Sequence, residues 1–91
     1  MLFEEAVDAV RNLSTKPTDM ELLTLYGMFK HIKSGDVTGS APRFVLNPSG
    51  YYKWREWAKH SSKPVEDIKL AYVAEVERLV AAYGTVEDQL V

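Results

Sequence analysis

The chain has 91 residues, with 11 basic and 13 acidic side chains, a formal net charge of -2 and no cysteine. That length suits a single domain, the acidic balance argues against general nucleic-acid binding, and the lack of cysteine removes disulfide staples, thiolate metal sites and thiol nucleophiles. No apolar run approaches the roughly 18 to 20 residues that a membrane-spanning helix needs, and the acidic start Met1-Leu2-Phe3-Glu4-Glu5 is unlike a secretory signal, so the expected location is cytoplasmic.

Apolar residues recur at Phe3, Ala6, Val7, Val10 and Leu13 with helical spacing. Glu4, Glu5 and Asp8 fall early in this helix and Arg11 late, as the helix dipole favours. Ser14-Thr15-Lys16-Pro17 ends it. Thr18 is placed to cap a second helix, and Glu21 three residues on completes a capping box. That helix is expected from about Asp19 to Ser34, stopped by Gly35. Its residues Leu22, Tyr26, Phe29 and Lys30 fall near one face. An aliphatic group, a phenol, an aromatic ring and an ammonium on one face suit an amphiphilic anion better than a core seam.

Residues 35–50 are rich in Gly, Pro, Ser and Asn and are expected to form one ordered loop, pinned to the helices by Phe44, Val45 and Leu46. Loops of such length in a small domain are often functional. A short third helix is expected from about Tyr51 to Lys59, with Trp54 and Trp57 as core anchors. His60-Ser61-Ser62 breaks it, Ser62 is a candidate cap for the fourth helix, and Pro64 suits its first turn. Val65, Ile68, Tyr72, Val76, Leu79, Val80 and Tyr83 then form a long amphipathic stripe, closed by Gly84. The expected organisation is one domain over residues 1–84 and a loosely held tail over 85–91. No stretch shows sustained period-2 alternation, so strands are not expected.

Catalytic patterns are missing. His31 and His60 are the only histidines, both expected at the surface, and neither stands in metal-ligand spacing, so no metal and no cofactor are expected. No nucleophile elbow, Gly-rich phosphate loop or paired carboxylates in an apolar setting can be read, so the chain is not expected to be an enzyme. A phosphopantetheine carrier is also four-helical, but its Asp-Ser-Leu tripeptide is absent.

Lys16-Pro17-Thr18-Asp19, Leu25-Tyr26-Gly27-Met28-Phe29-Lys30, Gly35-Asp36-Val37, Lys53-Trp54-Arg55-Glu56-Trp57 and Ala71-Tyr72, in this order and spacing, resemble the acyl-CoA-binding protein family from Phe3 to Gly84. The resemblance implies an all-α, four-helix up-down-down-up bundle. Such a bundle would hold one fatty acyl-CoA per protein, keep a pool of medium- to long-chain esters and hand them to acyl-CoA-using enzymes in transient encounters. It implies a monomer without nucleic-acid partners or stable membrane insertion.

Carried over by position, Tyr26, Lys30 and Lys53 would clamp the 3′-phosphate of CoA. Two ammonium groups and a phenol suit a dianion, because charge-assisted hydrogen bonds are the stronger kind. Phe29, Tyr72, Arg11, Val7 and Lys16 would border the nucleotide, and Leu22 and Leu23 the acyl chain. Phe29 stands where the family often has Tyr, Arg11 where it commonly has Lys and Val7 where it has Ala. His31 stands in place of a usual Gln, and Ser49 and Tyr51 replace Lys in a loop one residue longer than in the animal proteins, which lowers the positive charge of that rim. The alternative from a different class is a four-helix interaction module that docks a partner helix and takes no small ligand.

Overall fold

The computed structural model describes residues 1–86. Four helices follow one another: α1 (Phe3–Arg11), α2 (Asp19–Ser34), α3 (Pro48–Ala58) and α4 (Val65–Tyr83). α2 packs on both α3 and α4, and α1 packs on α4, which gives the all-α, up-down-down-up bundle. Helical stripes of Phe3, Ala6, Leu25, Met28, Ile68, Tyr72, Val76 and Leu79 meet in one core, to which α3 contributes no fully buried residue.

The start of α2 forms as its sequence dictates. The Thr18 N–H donates to Glu21 Oε1 at 2.9 Å, and the Glu21 N–H donates to Thr18 Oγ1 at 3.1 Å. Glu21 also ties α2 to the far end of α4. It accepts from the Tyr83 hydroxyl at 2.7 Å and from Arg78 Nη2 at 2.9 Å. At the other end Gly35 adopts φ +78°, a conformation that glycine reaches without steric cost, and its N–H donates to the His31 carbonyl.

Several expectations are corrected. α3 starts at Pro48, three residues before the expected Tyr51, because the Asn47 side chain accepts from the Gly50 N–H and Pro48 fills the first turn, where a missing N–H costs nothing. Phe44, Val45 and Leu46 do not pin the loop: they sit on a turn and are 48%, 87% and 75% exposed. The loop is held instead by the two indoles. Trp57 donates to the Gly35 carbonyl at 2.7 Å and Trp54 to the Thr38 carbonyl at 3.3 Å, so both are half-buried struts rather than core anchors.

Ser62 does not cap α4. It has φ +70°, and its N–H donates to Asp36 Oδ1 at 2.8 Å, while Pro64 occupies the cap position without a side-chain bond. His31 is 1% exposed, not a surface residue. Its Nε2 lies 2.8 Å from the Lys63 carbonyl, and since a carbonyl only accepts, Nε2 carries the proton. His60 is half-buried beside it, and burial followed by the charge of Lys63 lowers its pKa.

Residues 85 and 86 pair with the link after α1. The Val86 N–H donates to the Asn12 carbonyl and the Ser14 N–H to the Gly84 carbonyl, beside an antiparallel bridge between Leu13 and Thr85. The rest of the expected tail, residues 87–91, lies outside the described residues.

Candidate functional site

α3 approaches α2 closely because α2 carries Gly27. A Cβ at this position would lie 2.5 Å from the Glu56 carbonyl oxygen, inside any tolerable contact. With the backbones this near, α3 side chains reach the rings and ammonium groups of α2. Lys53 Nζ sits 5.5 Å above the Tyr26 ring, and one turn further along, Lys30 Nζ sits 5.0 Å from the Trp57 ring. The seam thus carries two cation–aromatic rungs. In each, one helix supplies the cation and the other the ring.

On the N-terminal side of these rungs the helices part around an open groove of about 590 Å³. Leu22, Leu23, Tyr26 and Met20 line it from α2, Tyr52, Lys53 and Ser49 from α3, and Asp19 stands at its edge. The lining is mostly apolar, with an ammonium and a phenol at one side. A lining of this kind can shield a hydrocarbon chain and offer a polar anchor at its end. Tyr26 and Lys30 are half-buried and Lys53 is exposed, so the donors are held but reachable.

The remaining sequence-derived candidates lie elsewhere. Phe29 joins a second aromatic cluster, 6.3 Å from Phe3 and 6.4 Å from Tyr72. Tyr72 is 4% exposed and meets the Phe3 ring edge-on at 5.1 Å. Burial pushes the Tyr72 phenol pKa up, and the positive charge of Arg11, exposed at the end of α1, pulls it partly back. Val7 packs against the core from α1. Lys16 is exposed on the link before α2, anchored by the buried Pro17 next to it. The structure therefore brings Leu22, Leu23, Tyr26 and Lys53 into one groove, sets Lys30 beside it, and holds Phe29, Tyr72, Arg11 and Val7 on the α1–α4 side.

Sequence reasoning does not assign Met20, Tyr52 or Asp19 to a site. Tyr52 has a readable signal: once α3 is started at Pro48, Ser49, Tyr52 and Lys53 fall at i, i+3 and i+4 on one face. Met20 has none, because a lone apolar residue in the first turn of a helix is ordinary.

Comparison with known proteins agrees with this architecture. A family described as "Acyl CoA binding protein" matches residues 1–76. The chain is 40% identical over 84 residues to "Acyl-CoA-binding protein 2" of Saccharomyces pastorianus, covering 92% of this chain and 95% of that protein. It is 39% identical over 82 residues to "Acyl-CoA-binding protein homolog 1" of Caenorhabditis elegans, with 90% and 94% covered. Among solved structures, the crystal structure of Oryza sativa acyl-CoA-binding protein 2 superposes with a TM-score of 0.80 at 29% identity, over 88% of this chain and 86% of that one. The solution structure of an acyl coenzyme A binding protein from yeast superposes with a TM-score of 0.71 at 38% identity, over 91% of this chain and 95% of that one. With the order of its motifs, its four-helix bundle and a family match over most of its length, the chain belongs to the acyl-CoA-binding protein family.

Proposed function

We propose that the protein binds medium- to long-chain fatty acyl-CoA one to one, keeps a pool of these esters away from water and presents them to acyl-CoA-using enzymes in the cytoplasm, without catalysing a reaction itself. The observation that carries this reading is the groove between α2 and α3, apolar along Leu22, Leu23 and Met20 and closed at one side by Tyr26 and Lys53. An acyl chain laid over Leu22 and Leu23 gains about 0.8 kcal/mol for each methylene taken out of water. A palmitoyl chain has enough methylenes for this burial to dominate the affinity.

The 3′-phosphate goes to Lys30, Lys53 and the Tyr26 hydroxyl. Both ammonium groups now rest over aromatic rings. Such contacts contribute only about 0.5–1 kcal/mol at exposed sites, so a dianionic phosphate readily draws both cations away from the rings. The nucleotide then lies toward the α1–α4 side, where Phe29 offers a ring face, Arg11 a second anion contact, Tyr72 a hydroxyl, Val7 an apolar wall and Lys16 a further positive charge. A phenyl ring stacked on adenine contributes about 1–3 kcal/mol by analogy with single-stranded nucleic-acid binders.

The test separates binding from folding. Lys30→Ala removes a charge-assisted bond of about 1.5–3 kcal/mol, so the Kd for palmitoyl-CoA rises roughly ten- to hundred-fold. Unfolding free energy falls by less than about 1 kcal/mol, since the wild-type contact is a cation–aromatic one. Calorimetric titration alongside thermal melts reads both quantities. Equal losses of affinity and stability would mark Lys30 as a fold residue and remove it from the site.

A further inference from the structure

The turn that leads into α3 carries Phe44, Val45 and Leu46 in succession, the last two 87% and 75% exposed. Its backbone is closed on itself: the N–H groups of Leu46 and Asn47 both donate to the Arg43 carbonyl, at 3.1 and 2.9 Å. Three apolar side chains thus project from a preorganised turn. The Phe44 ring meets Tyr51 edge-on at 5.5 Å and Tyr52 at 5.6 Å, and those two rings meet each other at 5.7 Å. Arg55 lies over the Tyr51 ring at 5.7 Å, the exposed Arg43 directly precedes Phe44 in the chain, and the exposed Lys53 directly follows Tyr52, with its ammonium over the Tyr26 ring. None of the three cations has an ion-pair partner among the described residues.

We propose that this turn is a docking tip for an anionic lipid bilayer surface. An apolar apex, amphipathic rings behind it and unpaired cations around them match, layer by layer, the acyl boundary, the interface and the anionic headgroups. A protein partner would need a broader complementary face, of roughly 800 Å² on each side for a standard interface, and the tip is one turn wide. The contact is shallow, because no helix among the described residues is long and apolar enough to cross a membrane. Tyr52 belongs both to the aromatic base and to the groove lining, so a docked tip would turn the groove mouth toward the lipid surface. The docking itself does not depend on the acyl-CoA reading.

The experiment is co-sedimentation of the full chain with phosphatidylcholine vesicles, with and without phosphatidylserine, and without any acyl-CoA. Wild type partitions onto the phosphatidylserine vesicles, less so as salt rises. The double variant Val45→Ser/Leu46→Ser loses at least roughly ten-fold in partition coefficient. Arg43→Ala loses about five-fold on anionic vesicles and little on neutral ones. Both variants keep the wild-type melting temperature and the wild-type affinity for palmitoyl-CoA in free solution. Wild type that ignores both vesicle types, or partitions no better than the double variant, overturns the docking and leaves the tip to a protein partner. Wild type that partitions as described but takes no palmitoyl-CoA upholds the docking and overturns the proposed function alone.

Discussion

Glu21 is bound from three sides: by the Thr18 N–H within its own helix end, by the Tyr83 hydroxyl and by Arg78 from α4. These bonds, the Thr18 backbone bond first among them, hold its pKa at about 2 against an ordinary 4.5. The bond to Glu21 in turn raises the pKa of Tyr83. Because the Glu21 folded-state value lies below the unfolded one, the stabilisation is fully present above pH 4.5 and is lost as pH falls toward about 2. We expect Glu21→Gln to lower the melting temperature at neutral pH and to flatten its fall across that acid window. Melts of wild type and variant from neutral pH down to pH 2 isolate the residue by difference. Parallel curves would mean that the carboxylate contributes nothing through its charge.

At the scale of elements, the contact between α2 and α3 decides both packing and site. Gly27→Ala would put a methyl group against the Glu56 carbonyl, a backbone atom that has little freedom to yield. The gain of about 1 kcal/mol from helix propensity is outweighed by an overpacking cost of about 1–3 kcal/mol and by the forced separation of α2 from α3. The melting temperature should drop, and palmitoyl-CoA affinity should drop with it, because Lys53 and Trp57 move away from Tyr26 and Lys30. A variant with full affinity and an unshifted melt would show that the close approach positions nothing.

Legibility in the sequence follows the range of the forces involved. The capping box at Thr18 and Glu21, the bounds of α2 and the stripe of α4 rest on neighbours within one or two turns, and the structure agrees with each. The start of α3 is ambiguous in sequence because Asn47-Pro48 serves equally as loop punctuation and as cap plus first turn. The burial of His31 is illegible, since its partners at Lys63 and Asp36 arrive from the link before α4 and from the loop after α2. The exposure of Val45 and Leu46 is likewise unreadable: an apolar run in a loop predicts burial unless something else makes use of the exposure.

Over the whole molecule, the groove belongs to no single helix. Leu22, Leu23 and Tyr26 can be set on α2 by spacing alone, but Lys53 joins them only through resemblance, because it comes from α3. The chain as a whole is acidic, at -2, yet the groove side gathers Lys30 and Lys53 over aromatic rings, with no carboxylate paired to either among the described residues. If the proposed site is right, an anion would be met by local charge in an otherwise mildly repelling field, and we expect capture to be sensitive to salt and selective for a ligand with both a phosphate and a chain.

Calorimetric titration with palmitoyl-CoA, palmitoyl-dephospho-CoA, octanoyl-CoA and palmitate tests that dual recognition most directly. We predict one-to-one binding of palmitoyl-CoA, weaker binding of octanoyl-CoA in proportion to the methylenes lost, a loss of at least roughly ten-fold on removal of the 3′-phosphate, and little binding of free palmitate. Equal affinity for the phosphorylated and dephosphorylated esters, or no heat with any acyl-CoA, would contradict a site built from the groove and its cations together.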